Sequence, residues 1–159
     1  MTSPNLYSRA DWPRLLAAAD SGGVKRLAAR LAERHGVEDL ALPEAGLGLL
    51  KLADGALGDD YFLGEIPVAR AHVRLTTADG RSVEGAAQLL DDRTALARAV
   101  AVLDAALAGR LPGWEGAVSL LDEGARRLAE QAEARRALLA HTRVDFSLLG
   151  AADEEDDDA

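Results

Sequence analysis

The residues whose types and spacing could do chemistry are Arg70, His72 and Arg74, alternating with Ala71 and Val73 in the run from Tyr61 to Leu75, YFLGEIPVARAHVRL. Side chains alternate along a strand, so two guanidiniums and an imidazole share one face, close enough to grip one anionic group or an acidic patch. A solvated sheet face is the opposing reading, since the spacing permits an anion site without requiring it. Other motifs carry less. Gly46-Leu47-Gly48 opens like a dinucleotide fingerprint, but the third glycine is missing and the segment leads into a strand where a helix N-terminus should hold phosphates. Gly22-Gly23-Val24-Lys25 misses the phosphate-loop spacing. His35, His72 and His141 stand far apart with no metal-ligand spacing, and His35 beside Gly36 reads as a cation at a helix C-terminus. Asp54, Asp59 and Asp60 surround glycines without the oxygen-ligand pattern of a calcium loop, so they read as a polar turn. No nucleophile elbow is present. The sequence therefore assigns no catalytic residue and no metal site.

Composition narrows the classes further. A chain of 159 residues suits one well-buried core. Only 4% of it is aromatic, which leaves Leu, Val and Ala to fill that core. A formal charge of -9 argues against nucleic acid, whose nonspecific binding needs Lys and Arg to neutralise phosphates, and against an anionic membrane surface. With no cysteine there are no disulfides, thiolate metal sites, iron-sulfur ligation or cysteine nucleophiles. The opening MTSPNLYSRADW lacks the basic start and apolar core of a signal peptide, so the cytoplasm is expected.

The elements that must position the basic row follow from periodicity. Pro67, Ala69, Ala71, Val73 and Leu75 form the opposite, core-like face of its strand. Gly64 suits a bulge, and Pro67 places that end at an edge or bulge. Upstream, Asp11 is expected to cap a helix holding Trp12, Leu15 and Leu16, ended by Gly22 and Gly23. A second helix carries Val24, Leu27 and Leu31 and stops at a left-handed Gly36. After a loop around Pro43, Gly46 to Leu52 is apolar on both faces and reads as a buried strand. DGALGDD, Asp54 to Asp60, is a turn, and Ala78-Asp79-Gly80 closes a hairpin into a strand from Ser82 to Leu90. Asp91 or Asp92 caps a helix with Leu96, Val100, Leu103 and Leu107 on one face, ended by Gly109. A long helix then reaches about His141, with Leu121, Ala125, Leu128, Ala132 and Leu139 at heptad-like spacing, interrupted by Arg135. The fold class is α+β: an N-terminal helical hairpin, a central antiparallel sheet of three to four strands, and two C-terminal helices. Residues 1–150 read as one domain and 151–159 as a disordered acidic tail, expendable for folding.

Gly46-Leu47 leading into a strand, the glycine turn, YFLGEIPVARAHVRL, Gly85, the alanine-rich helix ending LDAAL and TRVDF at Thr142 to Phe146 together resemble PhnG of the phosphonate carbon-phosphorus lyase system. The resemblance spans roughly Gly46 to Phe146. It implies a cytoplasmic subunit of a higher-order hetero-oligomer that acts with PhnH, PhnI and PhnL to move the ribose triphosphate of ATP onto a phosphonate, displacing adenine. PhnJ, the partner expected to hold an iron-sulfur cluster, later cleaves the product. The chain itself would bind no cofactor, ATP being a substrate of the complex, and its role would be mainly scaffolding. Arg70 and Arg74 match family arginines, while His72 has no counterpart. Leu90-Asp91-Asp92 replaces a frequent Gly-Arg-Asp turn, and Phe146-Ser147-Leu148-Leu149 replaces Phe-Phe-Thr-Met. The alternative of another class is a stand-alone small-anion binding module on the Arg70, His72 and Arg74 row.

Val144 and Phe146 follow the long helix amid polar residues, with little of this chain left to pack against, and are expected to meet a partner. Phe146→Ala should therefore cost about 2 kcal/mol or more of association and leave the isolated chain's melting temperature unchanged. Pull-downs with partner subunits and thermal melts check this, and a destabilised chain that still assembles would refute it.

Overall fold

The computed structural model describes residues 7–55 and 58–141. The expected acidic tail, Val144 and Phe146 lie outside the described residues. The fold is α+β, with N-terminal helices, a three-stranded antiparallel sheet and two C-terminal helices. In chain order the elements are α1 (Trp12–Ala18), α2 (Ser21–Arg34), β1 (Gly36–Ala53), β2 (Asp60–Thr76), β3 (Ser82–Leu89), α3 (Thr94–Gly109) and α4 (Glu115–His141). The sheet order is β1-β2-β3. The chain divides into two units, Met1–Leu128 and Ala129–Ala159. In the second, side chains 129–140 are all exposed.

The core of the first unit is organised around α3. Its sequence, TALARAVAVLDAALAG, is apolar nearly all round, and residues 99–107 are buried without a break. A helix with no polar face must be covered on every side. The sheet covers it on one side, through Ala69, Ala71, Val73 and Leu75 of β2 and Ala87 and Leu89 of β3, and the apolar faces of α1 and α2 cover it on another. One-sided amphipathicity is thus a correct but incomplete reading of α3.

Two approaches are closer than side chains allow. A Cβ at Gly85 of β3 would lie 2.2 Å from the Ala101 carbonyl oxygen and 2.4 Å from the Ala105 nitrogen, so α3 lies backbone to backbone on the strand. A Cβ at Gly124 of α4 would lie 1.9 Å from the Leu15 carbonyl oxygen of α1. Beside Gly85, Asp104 points from α3 onto β3, only 3% exposed. Its carboxylate accepts from the Ala86 N–H at 3.0 Å and pairs with the Arg9 guanidinium at 2.7 Å. Arg9 also donates to the Glu84 carbonyl at 3.1 Å. The ion pair thereby satisfies a free N–H and a free C=O along an edge strand, a role usually left to water or another strand.

Several expected boundaries shift for local reasons. Asp11 precedes α1 but makes no side-chain cap bond, because a 3-10 turn over Arg9–Asp11 holds it in helical conformation. Gly22 and Gly23 begin α2 and do not end α1: Asp20 caps α2 by accepting from both glycine N–H groups, at 3.2 and 2.7 Å. Gly36 opens β1 and is not left-handed, since α2 ends in extended backbone at His35. His35 stands at the C-terminus of α2, as expected, but is buried, and it donates from Nε2 to the Pro112 carbonyl at 3.1 Å, so it also links α2 to the segment after α3. Arg93, and neither Asp91 nor Asp92, is the N-cap of α3, with Asp91 accepting from the Arg93 N–H at 2.9 Å. Gly109 is the last helical residue, where a Cβ would lie 2.6 Å from Val83 Cγ2, and the left-handed position falls to Arg110. Along α4, Leu121 is buried and Leu128 half-buried, but Ala132 and Leu139 of the expected seam are exposed.

Gly85→Val should lower stability by about 3 kcal/mol in urea unfolding, because backbone cannot retreat as a side chain can. Gly46→Val, at a strand position with nothing within 4 Å, should be nearly neutral. Equal losses would show that the crossing at Gly85 is not special.

Candidate functional site

The structure brings Arg70, His72 and Arg74 together on the outer face of β2, as alternation requires, because Ala69, Ala71, Val73 and Leu75 turn into the core. Pro67, expected with that core set, is exposed: it lies past the end of β3, whose last residue, Leu89, pairs with Ala69. β2 is central in the sheet, but at Pro67 it has only β1 beside it, so the missing N–H removes no bond to β3.

Each member of the basic row has a glutamate from a neighbouring strand. Arg70 Nε lies 2.5 Å from Glu44 Oε1, His72 Nε2 lies 3.1 Å from Glu84 Oε2, and Arg74 reaches Glu84 Oε1 at 2.7 Å and Glu38 Oε2 at 3.1 Å. The register explains this, since Glu44 is directly opposite Arg70, and Glu38 and Glu84 flank Arg74 from β1 and β3. The Arg74 hydrogen bond holds the Glu84 carboxyl below its ordinary 4.5, burial works against it, and His72 reinforces it. Conversely, the Glu84 hydrogen bond raises Arg74. An incoming anion would have to displace these carboxylates. Arg70, His72 and Glu44 also line a groove of about 810 Å³ with Pro13, Leu42 and Leu90. Among the described residues no cluster of His, Asp and Glu could hold a metal ion.

A second surface escaped the sequence reading. Past β3, β1 and β2 continue as a two-stranded ribbon, from Gly46 opposite Val68 to Ala53 opposite Asp60. The expected strand from Gly46 to Leu52 lies within it, but it is not buried: Leu47 and Leu49 are 68% and 63% exposed, and Phe62 and Leu63 are each 62% exposed. Leu47, Leu49, Lys51, Phe62, Glu65 and Pro67 lie on the continuation of the core face, by register with Ala45 and Ala69. The apolar face of the sheet thus runs on where no helix of the first unit covers it. The register slips between Leu50 and Lys51, opposite Gly64 and Phe62, leaving Leu63 as the extra residue of a bulge. Gly64, at φ 150°, takes the backbone that the bulge requires, as its place in the sequence suggested. A run apolar on both faces was legible; exposure was not, because periodicity reports which side chains want cover and not whether the same chain supplies it.

The family described as phosphonate metabolism protein PhnG matches this chain over residues 7–150. The alpha-D-ribose 1-methylphosphonate 5-triphosphate synthase subunit PhnG of Rhizobium meliloti (strain 1021) is 34% identical over 139 residues, covering 87% of this chain and 85% of that protein.

Glu84 gives a pH test of the charged face. A carboxyl depressed by folding contributes stability that is complete above its unfolded value of 4.5 and is lost as pH falls through its lower folded value. The wild type should therefore exceed Glu84→Gln in stability at neutral pH, and the gap should close as pH falls from about 5 to 3. Urea unfolding across that range checks it, and a gap independent of pH would count against the Arg74–Glu84 link.

Proposed function

This chain belongs to the PhnG family, and from that membership we propose that it is a subunit of a hetero-oligomeric alpha-D-ribose 1-methylphosphonate 5-triphosphate synthase. In this reading it works in the cytoplasm with PhnH, PhnI and PhnL, beside PhnJ. The assembly transfers the ribose triphosphate of ATP to a phosphonate: the bond from the ribose to adenine breaks, a bond to a phosphonate oxygen forms, and adenine leaves. This chain scaffolds that reaction and carries no cofactor of its own. ATP enters as a substrate of the complex, and the iron-sulfur cluster resides in PhnJ.

The observation that supports a subunit role is the ribbon. Leu47, Leu49 and Phe62 hold a large apolar surface at the end of two strands with open edges. Contiguous apolar patches of that kind mark interaction sites, and open strand edges accept further strands. The basic row fits a stand-alone small-anion module less well, because Glu38, Glu44 and Glu84 already occupy its hydrogen-bonding groups. No helix among the described residues is long and apolar enough to cross a membrane.

Leu49→Asp combined with Phe62→Ser should abolish co-purification with the partner subunits, each side chain contributing about 2 kcal/mol or more if central to the interface. The isolated variant should melt where the wild type does, since neither side chain is buried. Adenine release from ATP and methylphosphonate should need the partners. Release by this chain alone, or assembly unaffected by the double substitution, would overturn the reading.

A further inference from the structure

At the end of the sheet opposite the ribbon, the β2–β3 hairpin meets the C-termini of α2 and α3 around a cleft of about 520 Å³. Arg34 from the last turn of α2, Arg81 from the hairpin and Arg110 after α3 all line it. These three differ from most arginines of this unit. Arg9, Arg70, Arg74 and Arg98 each have a carboxylate within 3.1 Å. Arg34, Arg81 and Arg110 form no ion pair among the described residues. Arg34 passes over Gly113, Arg110 stacks 5.8 Å above the centre of the Trp114 ring, and Arg81 donates to the Gly109 carbonyl at 2.6 Å. Among the described residues, three guanidiniums without an ion pair around a single concavity, with Asp79 as the carboxylate that lines it, are a specific arrangement.

The opposing charges are limited. Asp79 sits on the rim, its carboxyl lowered first by the Thr77 hydroxyl and held also by backbone N–H groups, with Arg81 acting on it only at longer range. Each helix C-terminus adds about half a negative charge. Three guanidiniums outweigh both contributions together. Arg110 supplies an independent observation: it alone among the described non-glycine residues has positive φ, at 46°. Asparagine or glycine takes that backbone with less strain, and the side chain held there is the one that stacks on Trp114.

We propose that this cleft binds a small multivalent oxyanion of the phosphate type, held by the guanidiniums of Arg34, Arg81 and Arg110. Guanidinium forks match phosphate oxygens in pairs, and Arg110 over Trp114 is fixed in advance. A concave site of this size suits a small ligand better than an extended acidic segment, which a row of charges on a flat face would serve. The proposal stands apart from the subunit role, because it concerns the other end of the sheet and needs no partner.

Calorimetric titration of the full chain with inorganic pyrophosphate tests it. The wild type should bind, with affinity falling as salt rises. Arg34→Gln and Arg110→Asn should each weaken binding about tenfold or more, the scale of a lost charged hydrogen bond. Arg110→Asn should not lower the melting temperature, since asparagine tolerates the left-handed backbone, which separates a binding role from a structural one. Arg70→Gln should bind as the wild type does. The proposal fails if pyrophosphate does not bind, if both cleft variants bind normally, if Arg70→Gln abolishes binding, or if hexaglutamate binds more tightly than pyrophosphate.

Discussion

The crossing of α3 over β3 at Gly85 sets the distance on which the rest of the first unit depends. Two backbones can lie this close only where one of them lacks a Cβ and the facing helix offers small side chains, here Ala101 and Ala105. That closeness lets Asp104 reach the Ala86 N–H, and it brings Arg9 across to complete the pair and bind the Glu84 carbonyl. A buried carboxylate costs several kcal/mol of desolvation unless it is paired and hydrogen-bonded. Asp104 meets both conditions by using groups the edge strand would otherwise leave open. The N-terminal 3-10 turn, β3 and α3 are therefore tied at one point, and α1 follows from where that turn is held.

Charge in this molecule is arranged by strand and by end. On the outer face of the sheet, glutamates of β1 and β3 answer the arginines of β2 directly across the ladder. At the hairpin end the arginines come from a helix terminus, a turn and a left-handed residue, and none forms an ion pair among the described residues. Total charge says nothing about this division. A chain that is acidic overall still concentrates positive potential wherever its carboxylates are kept away.

What was legible in the sequence was local. Alternation from Ala69 to Leu75 found the buried face of β2, Gly64 marked the bulge, and Ala78-Asp79-Gly80 gave the hairpin, whose Gly80 has positive φ. The chain order of a small family domain was also readable. What failed was of three kinds. Gly22 and Gly23 look like a helix end, because an Asp that binds both their N–H groups is visible only once Asp20 is seen to precede them as a cap. The other misses are non-local: Arg9 and Asp104 are 95 positions apart, and Arg34, Arg81 and Arg110 meet only through the topology. The exposure of Leu47 and Phe62 is a third case, since apolar spacing looks the same whether its cover is internal or external.

The ribbon also bears on supply. In the proposed subunit role, a free copy would present to every other free copy the same open edges and apolar face that it offers a partner, and identical strands pair with no need of complementarity between different surfaces. Self-pairing and correct assembly then compete by mass action, the first rising with the square of free chain and the second with the product of two concentrations. On that reading, matched synthesis of the subunits would limit what the chain loses to its own kind.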